Sequence, residues 1–184
     1  LRAWPQVVAA EPRARLHVFY EIKNYLKFIN ILPASFYGER GQTVARLMLD
    51  RLYAPTVTFH GHVPRRKLAV IQKRCRIHFY PVDLFGYCEG YATSISQGLA
   101  AGCSVLANPV DALPSLYGDG IHWMPKSTLD LDYAEYCAER IVSALHDRLP
   151  YQPQVRKRGV EIGTGLTWEA ASLQMEAACR GEWT

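Results

Sequence analysis

Short apolar runs alternating with helix-like segments limit this chain to few architectures. "RLHVFY" (Arg15–Tyr20), "TVTF" (56–59), "IHFY" (77–80) and "CSVLAN" (103–108) are rich in β-branched and aromatic residues, the composition of buried strands. Between them, apolar residues recur at helical spacing. Leu1, Trp4 and Val8 open the chain on a helix that stops near Pro12. "TVARLMLDRLY" (43–53) reads as helix, and residues 21–42 as a loop or irregular helix. Pro64 suits the first turn of a helix with Leu68, Ile71 and Cys75 on one face. A small-residue helix precedes Gly102. Asp132 and Glu135 suggest a capping box for a helix striped by Ala134, Cys137, Ala138, Ile141, Val142 and Leu145. A final helix carries Trp168, Ala171, Met175 and Ala178, and Trp4 and Trp168 are expected in the core. Strands alternating with helices predict an α/β fold, a parallel sheet flanked by helices with right-handed crossovers.

The length of 184 residues allows one packed domain, expected to span 1–184. No apolar run approaches the ~20 residues of a membrane span, and no signal-peptide pattern opens the sequence. Cys75, Cys88, Cys103, Cys137 and Cys179 are widely spaced, without a C-x-x-C pair. Most of them read as reduced core residues of a cytoplasmic protein. The net charge of +4 is unevenly placed. No acid lies between Asp50 and Asp83, whereas Arg51, Arg65, Arg66, Lys67, Lys73, Arg74 and Arg76 do. That stretch is either a solvated helix face or a face for phosphate or anionic lipid, which would make the protein peripheral to a membrane.

The stretch "CEGYATSISQGLAAG" (88–102) concentrates the chemistry. Ser94 and Gln97 fit a capping box, with Ser94 as the cap and Gln97 reaching back to its N–H. Gly102 is the expected left-handed end of that helix. Gly98 and the alanines would let it pack close to the sheet. In parallel α/β sheets, ligands bind beyond the carboxyl ends of the strands, which is where the loop after strand 77–80 must lie. The N–H groups of Thr93 and Ser94 then form an anion site. Glu89, just ahead, would accept hydrogen bonds from a polyol. A phosphate beside hydroxyl-rich carbon is the shape of a nucleotide sugar.

Other signals are weaker. His60 and His62 alternate as a metal pair would, but two ligands are too few. "GDG" (118–120) is no dinucleotide fingerprint, because Trp123 takes the third glycine's place. Cys88 has no adjacent histidine to activate it.

"EGYATSISQGLAAG" resembles the "EGFGLSxxEAMAAG" signature of retaining GT-B glycosyltransferases, whose two acids lie eight positions apart. "VTFHGHVPRRKLAVIQKRCRIHFYP", "SVLANPVDALPSLYGDG", "LRAWPQVVAAEPRARLHVFY" and "TWEAASLQM" are similar to flanking segments of that family, in the same order. The resemblance implies a Rossmann-like sheet, the C-terminal donor-binding half of a GT-B fold. It implies that Glu89 contacts the donor sugar and is the residue closest to catalysis. Gly90, Tyr91 and Ala92 would form the turn whose amides approach the sugar. Thr93 and Ser94 would begin the phosphate-facing helix, and Gln97 would bond the ribose hydroxyls. Gly61, His62 and Val63 would border the nucleobase.

Departures from the pattern matter. Gln97 is an amide where the family has a carboxylate, so its bond to ribose loses charge assistance. Ala92 replaces a glycine, and Ser115 stands where many members have Glu. The family's Arg and Lys that neutralise the diphosphate would precede Leu1, as would the first strand and the acceptor domain. The expectation is therefore a donor domain for metal-independent, retaining sugar transfer, with no cofactor and no activity of its own. Its partners would be a nucleotide-diphosphate sugar and the upstream acceptor domain. An apolar side left by a missing strand would favour self-association. Two other readings stay open: a degenerate, non-catalytic scaffold or partner subunit, and a sugar-nucleotide epimerase.

Overall fold

The computed structural model describes residues 2–19, 54–82, 91–127 and 129–182. The expected helix at 43–53, the segment 21–42, and Glu89, Gly90 and Cys88 lie outside them. The described residues fall into two compact units, one from 1–68 and 134–142, the other from 69–133 and 143–184.

In the first unit, helix α1 (Trp4–Ala10) starts with a proline in its first turn and buries Trp4 and Val7. Strand β1 (Leu16–Val18) pairs in parallel with β2 (Val57–Phe59), Leu16 opposite Val57. The pairing runs one bond further, His60 N–H to the Val18 carbonyl at 2.9 Å. Trp4 is a core residue at 7% exposure. Its indole N–H donates to Thr56 Oγ1 at 2.8 Å, so a bulky apolar ring is buried with its one polar atom satisfied.

The second unit holds a parallel sheet in the order β3 (Ile77–Tyr80), β4 (Ser104–Ala107), β5 (His122–Trp123). Every residue of β4 is buried, as befits a central parallel strand covered on both faces. Helix α2 (Arg65–Gln72), which runs from the end of the first unit into the second, precedes β3, and α3 (Thr93–Ala100) joins β3 to β4. Helix α4 (Leu113–Tyr117) and a short turn of 3₁₀ helix (Gly118–Gly120) lead to β5. Three helices follow in the chain: α5 (Tyr133–Leu145), most of which belongs to the first unit, then α6 (Gln152–Gly165) and α7 (Trp168–Cys179) of the second. Ile95, Leu99, Val105, Leu113, Tyr117 and Ile121 form the core. The expected α/β class, with parallel strands flanked by helices, is the class observed. Among the described residues no helix is long and apolar enough to cross a membrane.

Gly98 sets how closely α3 approaches the sheet. A Cβ there would lie 2.7 Å from the His78 ring. Close approach seals His78: its Nε2 is inaccessible and meets no hydrogen-bond partner among the described residues. Burial pushes its imidazole down to about 4, from the ordinary value of 6.5. The folded form therefore stays neutral while the unfolded chain takes up a proton below 6.5. Stability is unaffected above that pH and falls as pH drops toward 4, because only the unfolded state binds the proton. The expected loss between pH 7 and 5 is about 2 kcal/mol. Urea unfolding across that range measures it, and His78→Phe should flatten the dependence.

Two expectations from the sequence are corrected. Ser94 does not cap α3. The N-cap is Ala92, without a side-chain bond, and the helix begins at Thr93. The Ala92 carbonyl accepts from the N–H groups of Ile95 (2.9 Å) and Ser96 (3.2 Å) and from Tyr117 OH (3.0 Å). Burial of Ala92 against this tyrosine fixes the helix start, in place of a hydroxyl cap. Gly102, by contrast, has φ +81, the left-handed end expected of it. Trp168 is not in the core. It is 89% exposed, and α7 buries none of its residues. Periodicity identified residues that share a helix face, but it could not show whether anything covers that face. Thr167 caps α7, accepting from Ala170 N–H at 3.1 Å. Asp132 pairs with Lys126, and Glu135 accepts weakly from Gln6 at 3.4 Å.

Candidate functional site

The parallel register of β3, β4 and β5 aligns their carboxyl ends on one edge of the sheet. At the end of β4, buried Asn108 braces that edge. Its amide donates to the carbonyls of Met124 (2.9 Å) and Lys126 (2.8 Å). Its Oδ1 accepts from Tyr133 OH at 2.8 Å. These bonds use both N–H donors and one acceptor position of the amide, tying the end of β4 to the segment after β5 and to α5.

Helix α3 enters from the end of β3. Its first turn leaves N–H groups without intrahelical acceptors, and Ala92 offers no side-chain oxygen to them. The helix dipole adds partial positive charge at this end. Ser96 Oγ lies between two tyrosine hydroxyls, 3.2 Å from Tyr91 OH and 2.9 Å from Tyr117 OH. This network holds exposed Tyr91 against the first turn.

An open pocket of about 610 Å³ borders α3. Thr93, Ser96, Gln97 and Ala100 form one wall, with Tyr91 beside them. The end of α6 and the start of α7 form the other, including Gly163, Leu166, Trp168 and Glu169. Of the residues that the sequence singled out, Tyr91, Thr93 and Gln97 thus line one pocket. Ala92 is buried beneath, and Ser94 is half-buried outside the lining. Gly61, His62 and Val63 belong to the first unit. There Gly61 adopts φ +62, a turn conformation that favours glycine. His62 is exposed and Val63 half-buried. Ser115 is exposed on α4.

The first unit also contains an unforeseen histidine pair. His60 Nε2 lies 2.9 Å from His17 Nδ1, and the His60 ring stacks on Phe19 at 4.6 Å. Burial, then His17 and Lys67, lowers the His60 pKa. His60 is thus engaged with His17, while His62 faces solvent.

The sequence reading missed Ser96, Tyr117 and the α6–α7 wall. The "S-x-x-Q" spacing drew attention to a cap and away from Ser96, one turn inside. Nothing in the sequence could place residues 163–174 beside 91–100.

No family model matches the chain, and no curated protein matches it. Solved structures do. One is a pneumococcal O-GlcNAc transferase, GtfA, in complex with UDP and GlcNAc. It shares 11% identity over 98% of this chain, with a TM-score of 0.63. Another is sucrose-phosphate synthase from Thermosynechococcus elongatus, with 20% identity over 96% of this chain and a TM-score of 0.59. The chain spans 32% and 48% of these two proteins respectively. At such identities the likeness is one of fold: the chain folds like the C-terminal domain of a GT-B glycosyltransferase.

Proposed function

We propose that this chain is the donor-binding domain of a glycosyltransferase and holds a nucleoside-diphosphate sugar at the start of α3. One observation carries the reading: Tyr91, Thr93 and Gln97 line a single pocket at an uncapped helix N-terminus. The two structural neighbours, one of them with UDP and GlcNAc bound, support it.

In this reading the diphosphate lies against the Thr93 and Ser94 amides. They stabilise the negative charge that grows as the sugar–phosphate bond breaks, an electrostatic contribution that needs no reorganisation during reaction. Gln97 accepts or donates to a ribose hydroxyl. Glu89, just before the helix, orients the sugar, with Gly90, Tyr91 and Ala92 forming the turn beside it. Gly61, His62 and Val63 border the nucleobase. Transfer proceeds with retention and without a metal, and the acceptor and its base come from polypeptide outside this chain.

The test is calorimetric titration with UDP, GDP and ADP and their sugar conjugates. One nucleotide should bind, and its sugar form should bind tighter. Gln97→Ala should weaken both about three- to tenfold, the worth of one uncharged hydrogen bond. Glu89→Ala should remove only the sugar's increment.

A second reading has its own support: the described pocket lining contains no Lys or Arg. A diphosphate there meets amide dipoles and neutral polar groups, with the Glu169 carboxylate as the one charged side chain among the described lining, which suits a scaffold that has lost the chemistry. Absence of binding at millimolar nucleotide to folded protein would favour that reading over the first.

A further inference from the structure

Helix α2 divides sharply into two faces. Gln72 is buried, and Leu68, Ile71 and Cys75 are half-buried. They follow i, i+3, i+4, i+7 spacing and form the inward stripe. Arg66, Val70, Lys73 and Arg74 follow i, i+4, i+7, i+8 on the other side, and all four are exposed. Helical bonding reaches Lys73, whose N–H donates to the Ala69 carbonyl at 3.0 Å, and Arg74 N–H closes on Ile71 at 2.9 Å. The outward face of α2 therefore continues into the turn that closes it at 73–74. Arg65 and Lys67 flank it, also exposed.

Its charge is uncompensated by the described residues. Among the described residues none of these five cations has a carboxylate partner. Arg76 differs, being paired with Asp147. The sequence from 51 to 82 contains no acid at all. At the centre of the cationic face sits Val70, an aliphatic side chain 54% exposed.

We infer that the outward face of α2 docks on an anionic lipid bilayer. Charge complementarity demands a phosphate- or carboxylate-rich partner, and the exposed valine selects among such partners. A helix lying in a bilayer surface places cations at the headgroups and a central aliphatic residue toward the acyl boundary. Single-stranded nucleic acid is held by aromatic side chains stacked on bases as well as by cations, and α2, "RRKLAVIQ", carries no aromatic residue. The inference is independent of any nucleotide site, and it predicts orientation: the face of α2 would lie parallel to the membrane.

Vesicle flotation of the full chain tests it. One set of vesicles is phosphatidylcholine alone, and the other contains about a third phosphatidylserine. The protein should float only with the second set and be released as salt rises to about 0.5 M. The triple variant Arg66→Ala, Lys73→Ala, Arg74→Ala replaces exposed residues by the best helix former. It should keep the wild-type circular dichroism spectrum and bind about a hundredfold more weakly, at about fivefold per cation. Val70→Ser should weaken binding further without altering its salt dependence. The inference is overturned if folded protein ignores anionic vesicles or if the triple variant floats as well as wild type. It is also overturned if single-stranded RNA binds at lower concentration than the vesicles do and depends on the same three side chains.

Discussion

Gln152→Leu should destabilise the protein by about 4 kcal/mol, the largest loss expected from a single substitution here. Gln152 is fully buried, at the first turn of α6. Its Oε1 accepts the Leu149 N–H at 3.2 Å. Its Nε2 donates to Ser104 Oγ at 3.0 Å and to the Ala144 carbonyl at 2.9 Å. One side chain thus ties the end of α5, the loop after it and the central strand to α6. Leucine has nearly the same size, so packing changes little. The cost comes chiefly from the Leu149 N–H and Ser104 Oγ, left buried without the amide at about 1–3 kcal/mol each, while the Ala144 carbonyl keeps only its 3.3 Å bond from the Asp147 N–H. Urea unfolding at neutral pH measures it. Unchanged stability would mean that water reaches this site and replaces the amide.

Gly163→Ala should cost about 3 kcal/mol, near the upper end for forcing an extra carbon into a packed site. A Cβ at Gly163 would lie 2.5 Å from the Ala100 backbone nitrogen and 2.8 Å from Leu99 Cβ. Neither neighbour can rotate away, since one is backbone and the other is the root of a fully buried side chain. α6 must therefore back off from α3. Gly165→Ala, two residues on, is the control. Its Cβ would meet nothing within 4 Å, so alanine there should leave stability unchanged or raise it by about 0.5 kcal/mol. Equal losses for both variants would refute the close helix–helix contact.

These two residues also mark where sequence reading stops. The strands were legible because β-branched and aromatic runs need a buried sheet, and their parallel pairing followed from the intervening helices. The helix at 93–100 was legible from its small residues and Gly102. Gln152, lying beyond every stripe that the periodicity marked, carried no local signal, because its importance lies in partners as far off as Ser104. Gly163 reads locally as a helix-weakening residue, and only the nearness of α3 explains it. Trp168 failed differently. Its spacing predicted a shared face correctly, but burial depends on a neighbour that no spacing encodes. For the site, the signature located the α3 wall, while the opposite wall comes from residues about seventy positions later.

The uncapped start of α3 has a consequence for both folding and ligand capture. A serine or aspartate at position 92 would add about 1 kcal/mol to the helix. Its oxygen would do so by engaging the early amides that the proposed diphosphate would need. Self-capping and anion binding compete for the same donors. Ala92 has no side-chain oxygen to claim them, and Tyr117, from a different helix, secures the turn through the carbonyl instead. Local stability is thereby conceded at the point where occupancy by a ligand can restore it. If the proposed donor site is occupied, an anion at these amides would complete the first turn of α3 and raise its local stability.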